Sequence, residues 1–316
     1  MPTGPKTSAL SNIRGRLLAA RQSPRTGIAL MLAGVSIVPL MDGLAKFLAH
    51  YYPVTQIVWS RFFFHFAFIL PVMLMRYRAD VLRVRQPILQ ILRGGFLLGA
   101  TVCFFWSLKR LAIPDALTLL FVSPLLVTCL SPVILGEHVG VRRWVAVVVG
   151  FIGVCIMLRP DRSAFQGASL AALGAGLCHA CYIVATRRLS GTAPPLVTLF
   201  YTSVFGMVLL SLYMPWHWVA PQPVHFAAMI AIGGIAAAGH YLLIKAFDYA
   251  EASVLAPFGY GEIVMATIVG YFGFGDFPDP VTWFGMAVII GSGVYIAMRE
   301  HRTHVEVPPD EGQVVG

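Results

Sequence analysis

The sequence predicts an all-α integral membrane protein of ten transmembrane helices, arranged as two inverted halves of five. Three observations carry this. First, 58% of the 316 residues are hydrophobic and only 12% charged, with a mean hydropathy of +0.76. A soluble domain carries about twice that charge, and one with so few charges would expose apolar surface over most of its area. Second, ten apolar runs approach the roughly 20 residues that a spanning helix needs. Third, the chain repeats itself. Gly136-Glu137 leads to Trp144 and an apolar run ending at Arg159, and Gly275-Asp276 leads to Trp283 and a run ending at Arg299. The offset from Gly136 to Gly275 is 139 residues, close to half the chain, and duplication in so apolar a chain points to a transporter.

The expected spans are Gly27–Ala49, Val54–Leu74, Ile91–Leu108, Ala116–Leu135, Trp144–Leu158, Gly167–Ala185, Val197–Met214, Phe226–Lys245, Val254–Phe274 and Val281–Met298. The fifth is short and is expected to begin before Trp144. Connections are short. The longest, Arg76–Gln90, is basic and suits an amphipathic piece along headgroups.

Charge sets the expected orientation, because basic residues are retained on the cytoplasmic side. With a cytoplasmic amino terminus, seventeen of the 23 Lys and Arg fall inside: five before Gly27, five from Arg76 to Arg93, then Arg142, Arg143, Arg187, Arg188, Lys245, Arg299 and Arg302. Only Lys109, Arg110, Arg159 and Arg162 fall outside, while Lys46 and Arg61 lie within helices. Both termini are then cytoplasmic, and an odd number of helices separates the repeats. The halves are therefore inverted. Gly136-Glu137 faces the cytoplasm and Gly275-Asp276 the outside.

The net charge of +9 sits at the ends of apolar runs rather than along a polar face, which argues against nucleic acid. The five cysteines lie within apolar runs. Cys178-His179-Ala180-Cys181 has redox spacing but apolar helical flanks, so it reads as buried small side chains. The first 26 residues are polar and basic, without the apolar core of a signal peptide. No phosphate-cradling glycine loop, zinc-spaced histidine pair or serine elbow occurs. The expectation is no enzyme, no cofactor and no metal.

An ionisable side chain in the hydrocarbon layer is costly unless it pairs or lines water, so each is a functional candidate. Asp42 and Lys46 stand at i, i+4 on one face of the first helix. Arg61 and His65 lie one turn apart on the second. These four can form one network around a polar cavity, or a salt bridge that only locks the two helices. Glu262 sits mid-span after Pro257 and Tyr260. Its ionised form is the costly one, which suits a proton carrier; the alternative is a carboxylate satisfied by a neighbour. His179 and His240 are its candidate partners. Pro124 and Pro257 fall at approximately corresponding places in the halves, where interrupted helices mark transporter sites; the alternative is plain kinking for packing. Phe104, Phe105, Tyr182 and Phe258, among other ring residues, offer stacking to a ring-bearing solute.

These residues resemble the drug/metabolite transporter superfamily, specifically its two-domain EamA family. The match runs from about Gly27 to Glu300. Its most specific pieces are Met41-Asp42-Gly43 with Lys46, Arg61-Phe62-Phe63, Ser123-Pro124-Leu125, Leu135-Gly136-Glu137, Ala256-Pro257-Phe258 with Tyr260, and Ser292-Gly293-Val294-Tyr295. Gly275-Asp276 departs conservatively from the commoner Gly-Glu. The resemblance implies two inverted EamA repeats, at 27–160 and 161–300, with a cytoplasmic basic segment at 1–26 and a polar tail at 301–316. It implies a cavity open to one side at a time, in a bacterial inner membrane. The solute is then a small metabolite: a ring-bearing one of the riboflavin type taken up, or an amino-acid-derived metabolite or metallophore exported. A membrane-embedded transferase fits poorly, because the ionisable residues are scattered in depth. Expected partners are the solute and the bilayer, with a homodimer left open.

Overall fold

Proline starts helices readily, because its missing N–H would be unpaired in the first turn anyway. This chain uses it so throughout. In the computed structural model, which describes residues 24–76, 84, 86–136, 138–158, 167–189, 194–246, 249–250 and 252–305, five long helices open on Pro24, Pro87, Pro195, Pro223 and Pro280. The first half comprises α1 (Pro24–Leu48), α2 (Val54–Arg76), α3 (Pro87–Ser107), α4 (Ile113–Leu120), α5 (Ser123–Ile134) and α6 (Val141–Leu158). The second comprises α7 (Gly167–Arg188), α8 (Pro195–Tyr213), α9 (Pro223–Ala246), α10 (Ala252–Gly259), α11 (Gly261–Phe274) and α12 (Pro280–Val305). No strand occurs among the described residues.

Nine stretches of the described residues are long and apolar enough to cross a membrane, with α4 and α5 counted as one, and α11 is a shorter apolar helix. The remaining span, the ninth in chain order, is therefore α10 and α11 together. The fifth begins at Val141, in the connection before Trp144 as expected, and α12 runs past the expected Met298 to Val305. Glu137 and most of the basic connection after Arg76 lie outside the described residues. Outward faces carry exposed Leu74, Val148, Ile152, Leu212, Phe272 and Phe284, the surface that a hydrocarbon solvent requires.

Two spans are broken at matching places. The fourth stops at Leu120 and restarts at Ser123, with Pro124 in its new first turn. The ninth breaks at Tyr260, between Gly259 and Gly261. Phe121 and Tyr260 stand at the two breaks, and the repeat offset of 139 maps one onto the other. Gly136 and Gly275 are likewise equivalent, and both have φ of +71°, the positive-φ glycines among the described residues. Each ends a half-helix. Gly275 N–H reaches Tyr271 O, the single bond of a left-handed helix stop, and Asp276 N–H reaches Gly270 O.

Packing is mostly between the halves. The α1·α9 contact corresponds under exchange of halves to α7·α3, and both are extensive; α2·α9 likewise corresponds to α8·α3. Helices that pack on their own counterparts run antiparallel. Trp59 meets Ser211 while Phe66 meets Phe200 (α2·α8), and between the whole fourth and ninth spans Pro114 meets Gly270 while Phe121 meets Tyr260. Such contacts require a pseudo-twofold axis in the membrane plane, which is the inversion that charge counting predicts. Small residues allow the close approach: a Cβ at Gly233 on α9 would overlap Phe64 on α2, and one at Gly176 on α7 would press on the carbonyls of Leu119 and Leu120 at the break.

Candidate functional site

The broken spans and α1, α2, α3, α7 and α9 enclose a central cavity of about 300 Å³, at the small end of the roughly 300–1,000 Å³ usual for ligand pockets. Its apolar wall includes Phe104, Phe105, Phe121, Leu97 and Leu117. Into it project Asp42 from α1, Arg61 from α2, His179 from α7, His240 from α9 and Glu262 from α11.

These groups are held apart. Asp42 is 2% exposed and Arg61 6%. Among the described residues the one salt bridge is elsewhere, and neither Asp42 nor Glu262 makes a hydrogen bond. Arg61 donates from Nη1 to the Thr101 hydroxyl at 2.5 Å, and that hydroxyl donates on to Leu97 O at 2.8 Å. The guanidinium also lies 5.2 Å from the Phe62 ring centroid. Its Nε, buried, has no partner among the described residues. Glu262 sits in the first turn of α11, the helix end whose dipole favours a carboxylate.

The histidines differ. His240 Nδ1 lies 2.8 Å from Ala236 O; a carbonyl only accepts, so Nδ1 carries the proton there. His179 Nδ1 is 3.2 Å from the Ser123 hydroxyl at the break, and its ring stacks on Tyr182. His65 is buried 5.6 Å from the His240 ring, with Nε2 unpartnered among the described residues, and does not line the cavity.

Of the four residues expected in one network, Lys46 stands apart as His65 does, and the separate candidate Tyr260 also lies elsewhere. Lys46 does not join Asp42. It pairs with Asp276 and also donates to Leu111 O at 2.9 Å, because it lies one turn further along α1, where α11 ends. Its ammonium sits 5.1 Å from the Phe274 ring centroid. Asp276 of the repeat motif is thus half of a clasp between the two halves of the chain. Tyr260 does not reach the central cavity. It lines a second one of about 230 Å³, with Arg143, Arg187, Thr128 and Ser131. Trp144 and Trp283 are both partly exposed at the starts of equivalent helices, as interfacial aromatics are. No group of three or more metal-ligating side chains converges among the described residues.

The model of the EamA-like transporter family matches this chain twice, at residues 25–159 and 166–298. The chain belongs to the EamA-like transporter family. An S-adenosylmethionine uptake transporter of Rickettsia prowazekii is 28% identical over 278 residues, covering 88% of this chain and 94% of its own. A riboflavin transporter of Vibrio cholerae is 27% identical, covering 90% and 96%. A pseudopaline exporter of Pseudomonas aeruginosa is 26% identical, covering 84% and 94%. A solved crystal structure aligns with a TM-score of 0.62 at 19% identity, over 89% of this chain and 99% of that one, and so shares the fold.

Within this EamA-like chain, sequence reading missed Thr101, Phe121 and Arg93. Thr101 is an ordinary hydroxyl in an apolar run, and nothing local marks it. Phe121 was reachable, since the repeat offset maps it onto Tyr260. Arg93 counts as cytoplasmic by its place after the basic connection. The structure instead buries it, at 4% exposed, donating to Thr186 Oγ1, Thr198 O, Thr202 Oγ1 and the Tyr182 hydroxyl. Removing it leaves sixteen basic residues against four, so the charge asymmetry stands.

Proposed function

We propose that the chain is a secondary transporter that carries a small zwitterionic, ring-bearing metabolite through the Asp42–Arg61–Glu262 cavity by alternating access. One observation carries this reading: side chains of both signs from apolar spans line one cavity, and among the described residues none forms an ion pair there. Such groups are costly unless water or a ligand completes them. A solute with an anionic group facing Arg61 and a cationic group facing Asp42 or Glu262 supplies what the protein withholds. Phe104, Phe105 and Phe121 offer ring faces beside the charges, for stacking and for contact with a cation.

S-adenosylmethionine, the solute in the printed name of the Rickettsia relative, has all three features: a carboxylate, cationic groups and a purine. Riboflavin is the second reading, favoured by the aromatic wall and by the Vibrio relative's name. It has neither a carboxylate nor a cation and leaves the charged residues without a match. Direction follows the gradients, since an equilibrium between two access states is reversible. Glu262, or Asp42, suits a proton carried with the solute. The orientation supported by charge places both termini in the cytoplasm, the Lys46–Asp276 clasp outside and the Arg143–Arg187 chamber inside, in a bacterial inner membrane.

The test is competition binding on detergent-purified protein. S-adenosylmethionine should displace labelled S-adenosylmethionine at lower concentration than riboflavin does. Equal or stronger displacement by riboflavin would favour the second reading.

A further inference from the structure

The central cavity does not run directly into the second one. Between them stand two rings, Phe121 and Tyr260, with centroids 5.1 Å apart and planes inclined by 34°. Phe121 lines both chambers, and Tyr260 lines the second. Each ring stands at the break of a span, where one half-helix stops and the next begins. The two positions are equivalent under the repeat, so the rings meet across the pseudo-twofold axis. The Tyr260 hydroxyl makes no hydrogen bond among the described residues. It fits against Gly293 on α12, where a Cβ would overlap it. At the opposite end is the Lys46–Asp276 clasp, and Leu48, Leu108 and Ile113, near it in sequence or beside its partner Leu111, are fully buried.

We propose that Phe121 and Tyr260 form the selectivity constriction of the path, setting the cross-section of what passes between the central cavity and the Arg143–Arg187 chamber. The inference rests on the transport reading above only in assigning the central cavity to the path. A ring contact at a helix break is suited to this. Each half-helix can tilt about its own break, so small rotations on either side of the axis separate the rings without unpacking the bundle. The groove at Gly293 gives Tyr260 a fixed resting place. A side chain there would push the ring from its seat. The Arg143 and Arg187 guanidinium groups beyond the rings suit the anionic end of a solute that has passed.

The experiment needs no solute, so its failure is separable from failure of the solute assignment. Ala100 lines the central cavity. In a full-length background with the five native cysteines replaced, Ala100→Cys is labelled with membrane-impermeant thiol reagents in oriented vesicles, added from the Arg143–Arg187 side. The parent and Tyr260→Phe should label slowly. Phe121→Ala and Tyr260→Ala should label about tenfold faster, the scale on which a closed aromatic pair holds a barrier. The gain should be larger for a bulky maleimide than for a small methanethiosulfonate. Phe121→Leu serves if an alanine variant is not monodisperse. Equal labelling in parent and ring-deleted variants, or fast labelling of Tyr260→Phe, would overturn the proposal.

Discussion

Thr101 decides where Arg61 points. Its hydroxyl oxygen accepts from Nη1 while its proton goes to Leu97 O, so it stands between a charged donor and the helix backbone. Thr101→Val keeps the shape and removes the acceptor. Leaving a charged donor short of one buried bond costs about 1–3 kcal/mol. The variant should stay folded with a lower melting temperature and bind solute about tenfold more weakly, read by thermal melting and by equilibrium binding. An unchanged affinity would mean that Arg61 needs no such support. Asp42, Arg61 and Glu262 are legible in sequence as candidates because an ionisable group inside an apolar run is costly unless it pairs or lines water. The separation of Lys46 from Asp42 was not legible. Spacing of i, i+4 places two residues on one face of a helix, but the length of that helix relative to its neighbours decides which layer each meets, and Lys46 meets the end of α11.

At the scale of elements, the repeated Gly-acid pairs are helix stops. Gly275 and Gly136 each adopt φ of +71°, a conformation that costs a residue with a Cβ roughly 1–2 kcal/mol. Gly275→Ala should lower stability by about 1 kcal/mol, measured by thermal melting in detergent, and should loosen the clasp because Asp276 follows directly. The clasp itself should hold one end of the bundle shut. Lys46→Ala or Asp276→Asn should speed labelling of the Ala100→Cys protein from the Lys46 side. The swapped pair Lys46→Asp with Asp276→Lys should restore protection in part, since Leu111 O then loses its donor. The same rates for single variants, the swap and the parent would remove the clasp from the gating account. The breaks in the fourth and ninth spans were half legible. Pro124 sits in the restarted first turn, whereas Pro257 lies within α10, three residues before the break at Tyr260. Proline marks a place where a helix can stop; the glycines around Tyr260 and the ring pair across the axis determine where it does.

Across the whole molecule, the two ends of the bundle are unequal. One end has the Lys46–Asp276 clasp; the other has a chamber beyond an aromatic pair. The ten-span, two-repeat architecture was legible because composition, span length and the repeat offset agree, and a bilayer permits few architectures for such a chain. The choice of solute was not, because it depends on which side chains share a cavity. That arrangement joins α1, α2, α7, α9 and α11 across 220 residues of sequence between Asp42 and Glu262, and no local pattern encodes it.

The most direct test is counterflow of labelled S-adenosylmethionine in proteoliposomes holding the parent protein, Asp42→Asn, Arg61→Gln or Glu262→Gln, each checked as monodisperse. Loss of one charge-assisted contact is worth about 1.5–3 kcal/mol, or roughly 10–100-fold. The account predicts exchange by the parent, slower exchange of riboflavin, and a loss of at least about tenfold for Asp42→Asn and Arg61→Gln. Parent-like exchange by all three folded variants would contradict it.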